Sequence, residues 1–511
     1  MRTDFSTWTR DSALTFKALI ERFIDGDEGL GPDINRYISA QAYIQGIPSL
    51  SGNPESGGLG EPRYNIDRTA FMSGWGRPQR DGPALRATAL ILYANWLIDH
   101  GVRIEALQNV WPVISKDLQY TAHYWNQTGF DLWEETTGSS FFTLSANHRA
   151  LVEGMALATR LGQSCNECSD AAPKVLCFLQ TFWKGTYIES NINTQESFHR
   201  TGKDANSILS SIHTFDPNSG CIDATFQPCS ARALANHKAV VDSFRSVYSI
   251  NNGIPQGNAV AVGRYSEDAY YNGNPWYLIT SAAAEQLYDA MHQWKLQGEI
   301  TITDVSLPFF QDLAPSITTG TYNFGSPTYS TITDAVRSYA DGFIEIVKKY
   351  TPSNGELAEQ FDRNNGLPLS AGDLTWSYAA FLTATSRRAG TMGPSWGESS
   401  SNQVPSTCSR ACSAKITFNL HTSVGSGEKV YVIGQLDQLH NWNADKPVIL
   451  SFGNSVWSVQ VDVPAGAPFE YKYIKKNSAG QTTWSSGSNY VFKQQQECGG
   501  VGTVDDEVVW E

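Results

Sequence analysis

Apolar residues recur every three or four positions through most of the first 390 residues, the spacing that gathers them on one helix face. The pattern predicts eleven main helices, at about 11–25, 33–45, 83–99, 104–125, 140–161, 170–188, 203–212, 231–248, 276–297, 328–350 and 371–388. A shorter helix is predicted near 304–314. Pro83 and Pro275 stand at helix starts, where a missing N–H leaves no bond unmade. The connections alternate in character. Those at 26–32, 100–103 and 162–169 are short, whereas those at 46–82, 126–139, 249–275 and 351–370 are longer. In a ring of up-and-down helices every second connection lies at the same end, so the four longer loops are expected at one mouth. Such a ring closes with an even number of helices, and eleven predicts one more before Trp8.

The texture changes after residue 390. Residues 394–412 are rich in Ser, Pro, Gly and Asn and read as a wrap or linker. From Lys415 onward, alternating segments predict strands at 415–420, 429–434, 447–452, 457–463, 469–475, 490–493 and 507–510. Seven short strands in about 100 residues predict an antiparallel β-sandwich. The expected organisation is therefore a helical domain at 1–408, a short linker at 409–411 and a β-module at 412–511.

The predicted loops between the helices carry the candidate chemistry. Trp, Arg and paired acids combine there in Trp8-Thr9-Arg10-Asp11, GRPQRDG at 76–82, Asp131-Leu132-Trp133-Glu134-Glu135 and Arg264-Tyr265-Ser266-Glu267-Asp268. Indoles stack on sugar rings, Arg and carboxylates hydrogen-bond hydroxyls, and two separated acids can cleave a glycosidic bond. A carbohydrate hydrolase fits these residues. Glu134 follows an indole and sits between two other acids, and both features raise a carboxyl pKa, as a proton donor requires. The alternative for a bare W-E-E tripeptide is an ordinary acidic loop. A single Trp is more often core packing than a sugar platform, although Trp75 between two glycines is the least core-like.

Composition narrows the choice. A chain of 511 residues is too long for one ordinary core. A net charge of -14 argues against nucleic acid or an anionic membrane as partner, and no apolar run is long enough to span a bilayer. Eight cysteines point to disulfides and an oxidising compartment. Cys165 and Cys168 have zinc-like spacing, but a second ligand pair is wanting. With no H-E-x-x-H and no phosphate-cradling glycine loop, no metal or other cofactor is expected. Asn126-Gln127-Thr128 is the only glycosylation sequon. No signal peptide precedes the first motif, so an incomplete N-terminus is expected.

With these motifs in place, the chain resembles the fungal glucoamylases of glycoside hydrolase family 15. The resemblance rests on Thr7–Ser12 (TWTRDS), Gly74–Arg86 (GWGRPQRDGPALR), Tyr124–Glu135 (YWNQTGFDLWEE), Arg264–Trp276 (RYSEDAYYNGNPW) and Asp373–Tyr378 (DLTWSY), and runs through 7–408. It implies a mainly α (α/α)6 toroid of twelve helices, the first preceding Trp8. It implies Glu134 as general acid and Glu359 as general base of an exo-acting, inverting hydrolase. Such an enzyme releases β-D-glucose from the non-reducing ends of starch and malto-oligosaccharides, cutting α-1,4 links and, more slowly, α-1,6 links. Inversion requires a water between base and sugar, hence carboxyl groups about 6.5–9.5 Å apart. Substrate contacts are implied at Trp8, Arg10, Asp11, Trp75, Trp133, Glu135, Arg264, Tyr270, Trp276 and Trp376, with Asp268 holding Arg264. The family has a tyrosine where this chain has Asp4, and a carboxylate there would perturb both catalytic groups.

The last hundred residues resemble starch-binding modules of carbohydrate-binding module family 20. Trp442 and Trp484, with Glu470 and Lys472 beside them, match one starch site, and Trp457 matches part of a second. A tyrosine of that second site is replaced by Ser426, and Phe452 is a candidate to compensate. The resemblance pairs Cys165–Cys168, Cys177–Cys408, Cys221–Cys229 and Cys412–Cys498, and implies a secreted, glycosylated monomer. Two rivals remain at this point. One is a starch-binding protein whose toroid is impaired by the missing helix and tyrosine. The other is a different (α/α)6 enzyme, acting on trehalose or by phosphorolysis, against which the starch module argues.

Overall fold

A computed structural model describes residues 6–194, 200–397, 403–406, 413–464, 469–493 and 500–510. The chain divides into two units, each described by itself. One is Met1–Trp125, Phe141–Ser190 and Arg200–Cys408; the other is Asn126–Ser140, Asn191–His199 and Ser409–Glu511.

Two kinds of helix build the first unit. The inner kind is α1 (Thr9–Ile24), α3 (Asp81–Asp99), α5 (Phe141–Leu161), α7 (Asn206–His213), α9 (Tyr277–Gln297) and α12 (Thr375–Ala389). Each packs on the next, and α12 packs back on α1, so the ring closes. The outer kind is α2 (Gly31–Ile44), α4 (Trp111–Tyr124), α6 (Asn166–Leu179), α8 (Ala231–Asp242) and α11 (Pro327–Tyr350), with the short α10 (Leu307–Leu313) against α8 and α11. Among the described residues this gives six inner and five outer long helices of the (α/α)6 toroid, the eleven expected. Among the inner helices, α3 and α9 bury nearly every residue, with alanines at 84, 87, 89 and 94 and at 282–284 admitting close neighbours. By contrast, α11 buries one stripe, Tyr329, Ile332, Val336, Tyr339, Ala340, Phe343 and Val347, as a one-sided surface helix must. Ser326 caps its start and Pro327 opens it.

Buried charge fastens the helices together. Arg86 on α3 donates to both carboxylate oxygens of Asp117 on α4 (2.8 and 2.6 Å) and to Gln41 on α2 (2.9 Å). At the seam, Glu21 on α1 accepts from Lys17 and from Arg387 of α12, each at 2.6 Å. Burial alone would raise the Glu21 carboxyl, but Arg387 and Lys17 hold it down at about 2. On α1, Leu14, Ala18 and Phe23 are buried, and Leu19 and Ile24 half-buried.

Three helix expectations need correction. The helix expected at 104–125 is interrupted by a π turn at Ala106–Val110 and restarts at Trp111-Pro112, because Pro112 has no N–H to continue the ladder. The one expected at 170–188 begins at Asn166 and stops at Leu179; Gly185, at φ 89°, then turns the chain so that Trp183 bridges to Ile188. That at 231–248 stops at Asp242, whose carboxylate is taken up by Lys238, Arg245 and Gln256.

Short ribbons join the helices. β1 (Ser6–Trp8) pairs with β2 (Arg63–Asn65), β6 (Glu299–Ile302) with β7 (Gly320–Asn323), and β8 (Gln360–Phe361) with β9 (Pro368–Leu369). In the second unit, β3 (Gly129–Phe130), β4 (Thr137–Ser140) and β5 (Asn191–Ile192) form a small antiparallel sheet. Its main body is a β-sandwich. One sheet runs β13 (Ser451–Gly453), β14 (Val456–Pro464), β10 (Ser413–His421), β18 (Val501–Glu507); the other runs β12 (Val448–Ile449), β11 (Lys429–Gly434), β15 (Phe469–Lys476), β16 (Thr482–Trp484), with β17 (Tyr490–Phe492) also on β15. Ile416, Phe418, Leu420, Val430, Val432, Tyr471 and Tyr473 fill the core, and both tyrosine hydroxyls donate to Asp506 (2.7 and 2.9 Å).

The strands also depart from expectation. The segment 447–452 splits between the two sheets, the Thr482–Trp484 strand was not expected, and the last strand is Val501–Glu507 rather than 507–510. It lies parallel to β10, so the sandwich is not wholly antiparallel. Asp4, Cys408, Cys412 and Cys498, and with them the expected linker 409–411, lie outside the described residues. Cys165–Cys168 and Cys221–Cys229 are disulfides with Cα separations of 5.2 and 4.9 Å, and Cys177 is disulfide-bonded. No helix among the described residues is long and apolar enough to cross a membrane.

Candidate active site

In the first unit the candidate residues lie in the first turns of α1 and α12 and in the loops that lead into α3, α9 and α12. The β1–β2 ribbon fixes Trp8 opposite Arg63, and the Thr9 N–H and hydroxyl bond Pro62 and Glu61 carbonyls (2.9 and 3.1 Å). A side chain at Gly82 would meet Thr9 Cγ2 at 2.9 Å, so glycine there lets the starts of α1 and α3 approach. Arg10 on α1 is thereby brought to α3, where it donates to Gln79 Oε1 and Asp81 Oδ2, both at 2.8 Å. The Asp11 carboxyl is raised by burial, against the lowering effect of Arg10, and Asp81 raises it further.

Trp8 and Trp75 meet edge to face at 5.3 Å. The Arg63 guanidinium lies over Trp8, Phe71 and Trp75 (4.9, 4.1 and 4.8 Å) and donates to Ser6 (2.9 Å). Trp75 is 40% exposed, as its flanking glycines suggested, whereas Trp276 and Trp376 are buried. On the 264–275 loop, Arg264 binds Asp268 in a bidentate pair (2.8 and 2.6 Å), and Asp268 also accepts the Tyr270 N–H (2.8 Å). The Arg264 guanidinium faces the Tyr265, Tyr270 and Trp276 rings at 5.3, 5.0 and 5.5 Å.

Glu359 is half-buried at the entry to the β8–β9 ribbon, its N–H on the Ala371 carbonyl (2.8 Å). Ser370 and Gln360 (3.1 Å) both donate to its Oε2. Burial raises the Glu359 carboxyl; Ser370, Gln360 and Arg264 pull it back, and Asp11 raises it again. A carboxylate held ready to accept a proton, with a cation and bond donors beside it, has the equipment of a general base.

In the second unit, Glu134 sits at the tip of the β3–β4 hairpin. Its φ is 66°, a left-handed conformation that a non-glycine residue adopts at a cost of about 1–3 kcal/mol and that clusters at functional positions. Asp131, fully buried, builds the tip: its Oδ1 accepts the Glu135 and Thr136 N–H groups (3.1 and 3.2 Å), and its carbonyl accepts the Glu134 N–H (2.9 Å). Trp133 is buried beside it, Asn126 of the sequon is half-buried and Thr128 is buried.

On the sandwich, Trp442 ends a turn in which His440, Asn441 and Trp442 are all left-handed (φ 60°, 48° and 63°) and is half-buried, as is Trp484 on β16. Glu470 and Lys472 share a face of β15, tied to Asn489 and to the Gly487 carbonyl (2.9 and 2.8 Å). Trp457 stands directly across from Phe452, with ring centroids 5.2 Å apart and Phe452 61% exposed.

Sequence reading missed Gln79 and Asp81 as holders of Arg10, Arg63 beneath the indoles, and Ser370, Gln360 and Asn274 around Glu359. Gln79 and Asp81 lay inside the quoted Gly74–Arg86 stretch, where the polar run Gln79-Arg80-Asp81 ahead of an apolar helix was a usable signal.

Comparison with known proteins gives the family of the chain. The family "Glycosyl hydrolases family 15" matches residues 4–386, and "Starch binding domain" matches 413–504. Glucoamylase-1 of Arthroderma benhamiae is 48% identical, over 98% of this chain and 87% of that protein; the glucoamylase of Neurospora crassa is also 48% identical, over 98% and 86%. The solved family 15 glucoamylase of Hypocrea jecorina superposes with a TM-score of 0.78 at 50% identity, covering 98% of this chain and 92% of that one. The chain belongs to glycosyl hydrolase family 15, as a toroidal O-glycosyl hydrolase that carries a starch-binding domain.

Proposed function

We propose that the chain is an exo-acting, inverting glucan 1,4-α-glucosidase that releases β-D-glucose from non-reducing ends of starch and malto-oligosaccharides, with slower action on α-1,6 links. Glu134 protonates the leaving glycosidic oxygen. Glu359 takes a proton from the attacking water as that water closes on the anomeric carbon from the opposite face. Arg10, Asp11 and Arg264 grip hydroxyls of the terminal glucose, with Glu135 and Tyr270 as further polar contacts. Trp8, Trp75, Trp133, Trp276 and Trp376 supply its apolar walls. The observation that carries this reading is Glu359, a half-buried carboxylate accepting from Ser370 and Gln360. Nothing in the comparisons supports the alternative of an impaired starch binder. The disulfides favour a secreted enzyme, and Asn126 is the proposed glycan site.

Polarimetry during maltose hydrolysis tests the stereochemistry. The first product should be the β-anomer, and initial release of α-glucose would mean retention instead.

The sandwich is proposed to hold starch on the indoles of Trp442 and Trp484, with Glu470 and Lys472 bonding hydroxyls, and to offer a second platform at Trp457 and Phe452. Aromatic anchors of this kind carry on the order of 2 kcal/mol each. Trp442→Ala with Trp484→Ala should therefore cut retention on starch granules at least about tenfold, with maltose hydrolysis unchanged. Parental retention would exclude these indoles as the contact.

A further inference from the structure

Glu359 is held by an amide whose own direction is decided elsewhere. A carboxamide is nearly symmetric in shape but opposite in character at its two ends, so Gln360 can offer Glu359 either a donor or an acceptor. Only the donor favours the carboxylate. What turns Gln360 the right way is a chain of bonds that starts from the backbone. The Arg363 N–H can only donate, and it points at Asn274 Oδ1 (3.1 Å). The Asn274 Nδ2 is therefore at the other end, where it donates to the Tyr271 carbonyl (2.8 Å) and to Gln360 Oε1 (3.0 Å). With its oxygen so occupied, Gln360 presents Nε2 to Glu359 Oε2 (3.1 Å).

The chain is placed rigidly. Asn274 and Gln360 are 2% and 0% exposed, so water does not compete for their amides. The Gln360 backbone bridges to Trp276, and the Phe361 N–H bonds the Pro275 carbonyl (3.0 Å). Arg363 also donates from its guanidinium to the Asn272 carbonyl (2.8 Å), closing the left-handed turn Tyr271–Gly273 against this loop. Each amide has one end bonded to a group of fixed polarity, and reversing either would set oxygen against oxygen.

We propose that Asn274 is a positioning residue for the hydrolytic reaction: it relays the polarity of the Arg363 N–H through Gln360, so that a donor, never an acceptor, meets the base Glu359. This rests on Glu359 being the general base. The base must be ionised to work, and loss of a donor to its charged form raises its pKa. The acidic limb of the kcat/KM profile should then move to higher pH. The other groups that bear on Glu359 stay in place: Ser370, Arg264 and Tyr270 from the neighbouring loops and Asp11 from α1.

The test is Asn274→Asp in the full chain, assayed on maltose from pH 3 to 8. Its carboxylate still accepts from Arg363 but takes the Gln360 amide by the wrong end. We expect kcat to fall about 10–100-fold, KM to stay within about twofold, and the acidic limb to rise by about 0.5–1 pH unit. Asn274→Ala adds no buried charge and should shift the limb the same way by less, which keeps the test decisive if Asn274→Asp folds poorly. In a Gln360→Met background, Asn274→Ala should cause no further shift, because the relay has already lost its last member. A folded Asn274→Asp or Asn274→Ala with parental kcat and acidic limb overturns the relay, as does an additive loss in the Gln360→Met background. Glu359→Gln run alongside separates the two readings: parental activity there would remove the base assignment itself and the relay with it.

Discussion

Glu359→Gln should lower kcat on maltose by about 10²–10⁴-fold, and Glu134→Gln by a comparable factor, since a positioned general base or acid contributes that much. Both changes are nearly isosteric, so the hairpin tip around Asp131 and the bonds from Ser370 and Gln360 have a similar shape to close on. The two variants should nevertheless differ in kind. An amide at 359 cannot take a proton from water whatever the leaving group. An amide at 134 fails only where the leaving oxygen needs a proton. With α-glucosyl fluoride, whose fluoride departs unprotonated, Glu134→Gln should recover much of its rate and Glu359→Gln little. If both variants hydrolyse maltose at the parental rate, the assignment of acid and base is wrong. If the fluoride rescues Glu359→Gln instead, the two roles are exchanged.

What could be read from the sequence followed the range of the forces involved. Helices α3 and α9 were predicted to within two residues because both bury nearly every residue, so apolar positions recur on every side over about five turns. The ends of α6 and α8 were overrun because the apolar texture continues past them. What stops them is a glycine turn and a carboxylate shared among side chains up to 14 residues away. The β-module lost its last strand for a similar reason, since the pairing of β18 with β10 joins residues more than 80 apart and runs parallel. At the site, Arg264 and Asp268 are four residues apart, and the expected pairing is observed. The bonds from Arg10 to Gln79 and Asp81 and from Asn274 to Gln360 span 69, 71 and 86 residues, and no local pattern predicts a partner at that distance. The residues that might touch sugar were thus more legible than those that aim them.

Asp268→Ala should destabilise the first unit by about 3–5 kcal/mol and reduce kcat/KM at least about 100-fold. The Arg264 and Asp268 side chains are 3% and 1% exposed, and removal of Asp268 takes a bidentate carboxylate away from a buried cation. The same substitution also removes the acceptor of the Tyr270 N–H, a part-buried bond whose loss costs about 1 kcal/mol. The rings of Tyr265, Tyr270 and Trp276 around the guanidinium offset only part of this. A second variant divides structure from function. Arg264→Met combined with Asp268→Leu removes both charges and fills the space with apolar atoms, an exchange that is often neutral in a protein interior. It should be more stable than Asp268→Ala by about 2 kcal/mol, since the buried charge is removed together with its carboxylate. It should remain as inactive, because no guanidinium is left to bond the sugar. The measurements are urea midpoints beside kcat/KM on maltose. Recovered stability with recovered activity would show that Arg264 only fastens its loop, and an Asp268→Ala variant as stable and active as the parent would show that the ion pair serves neither purpose.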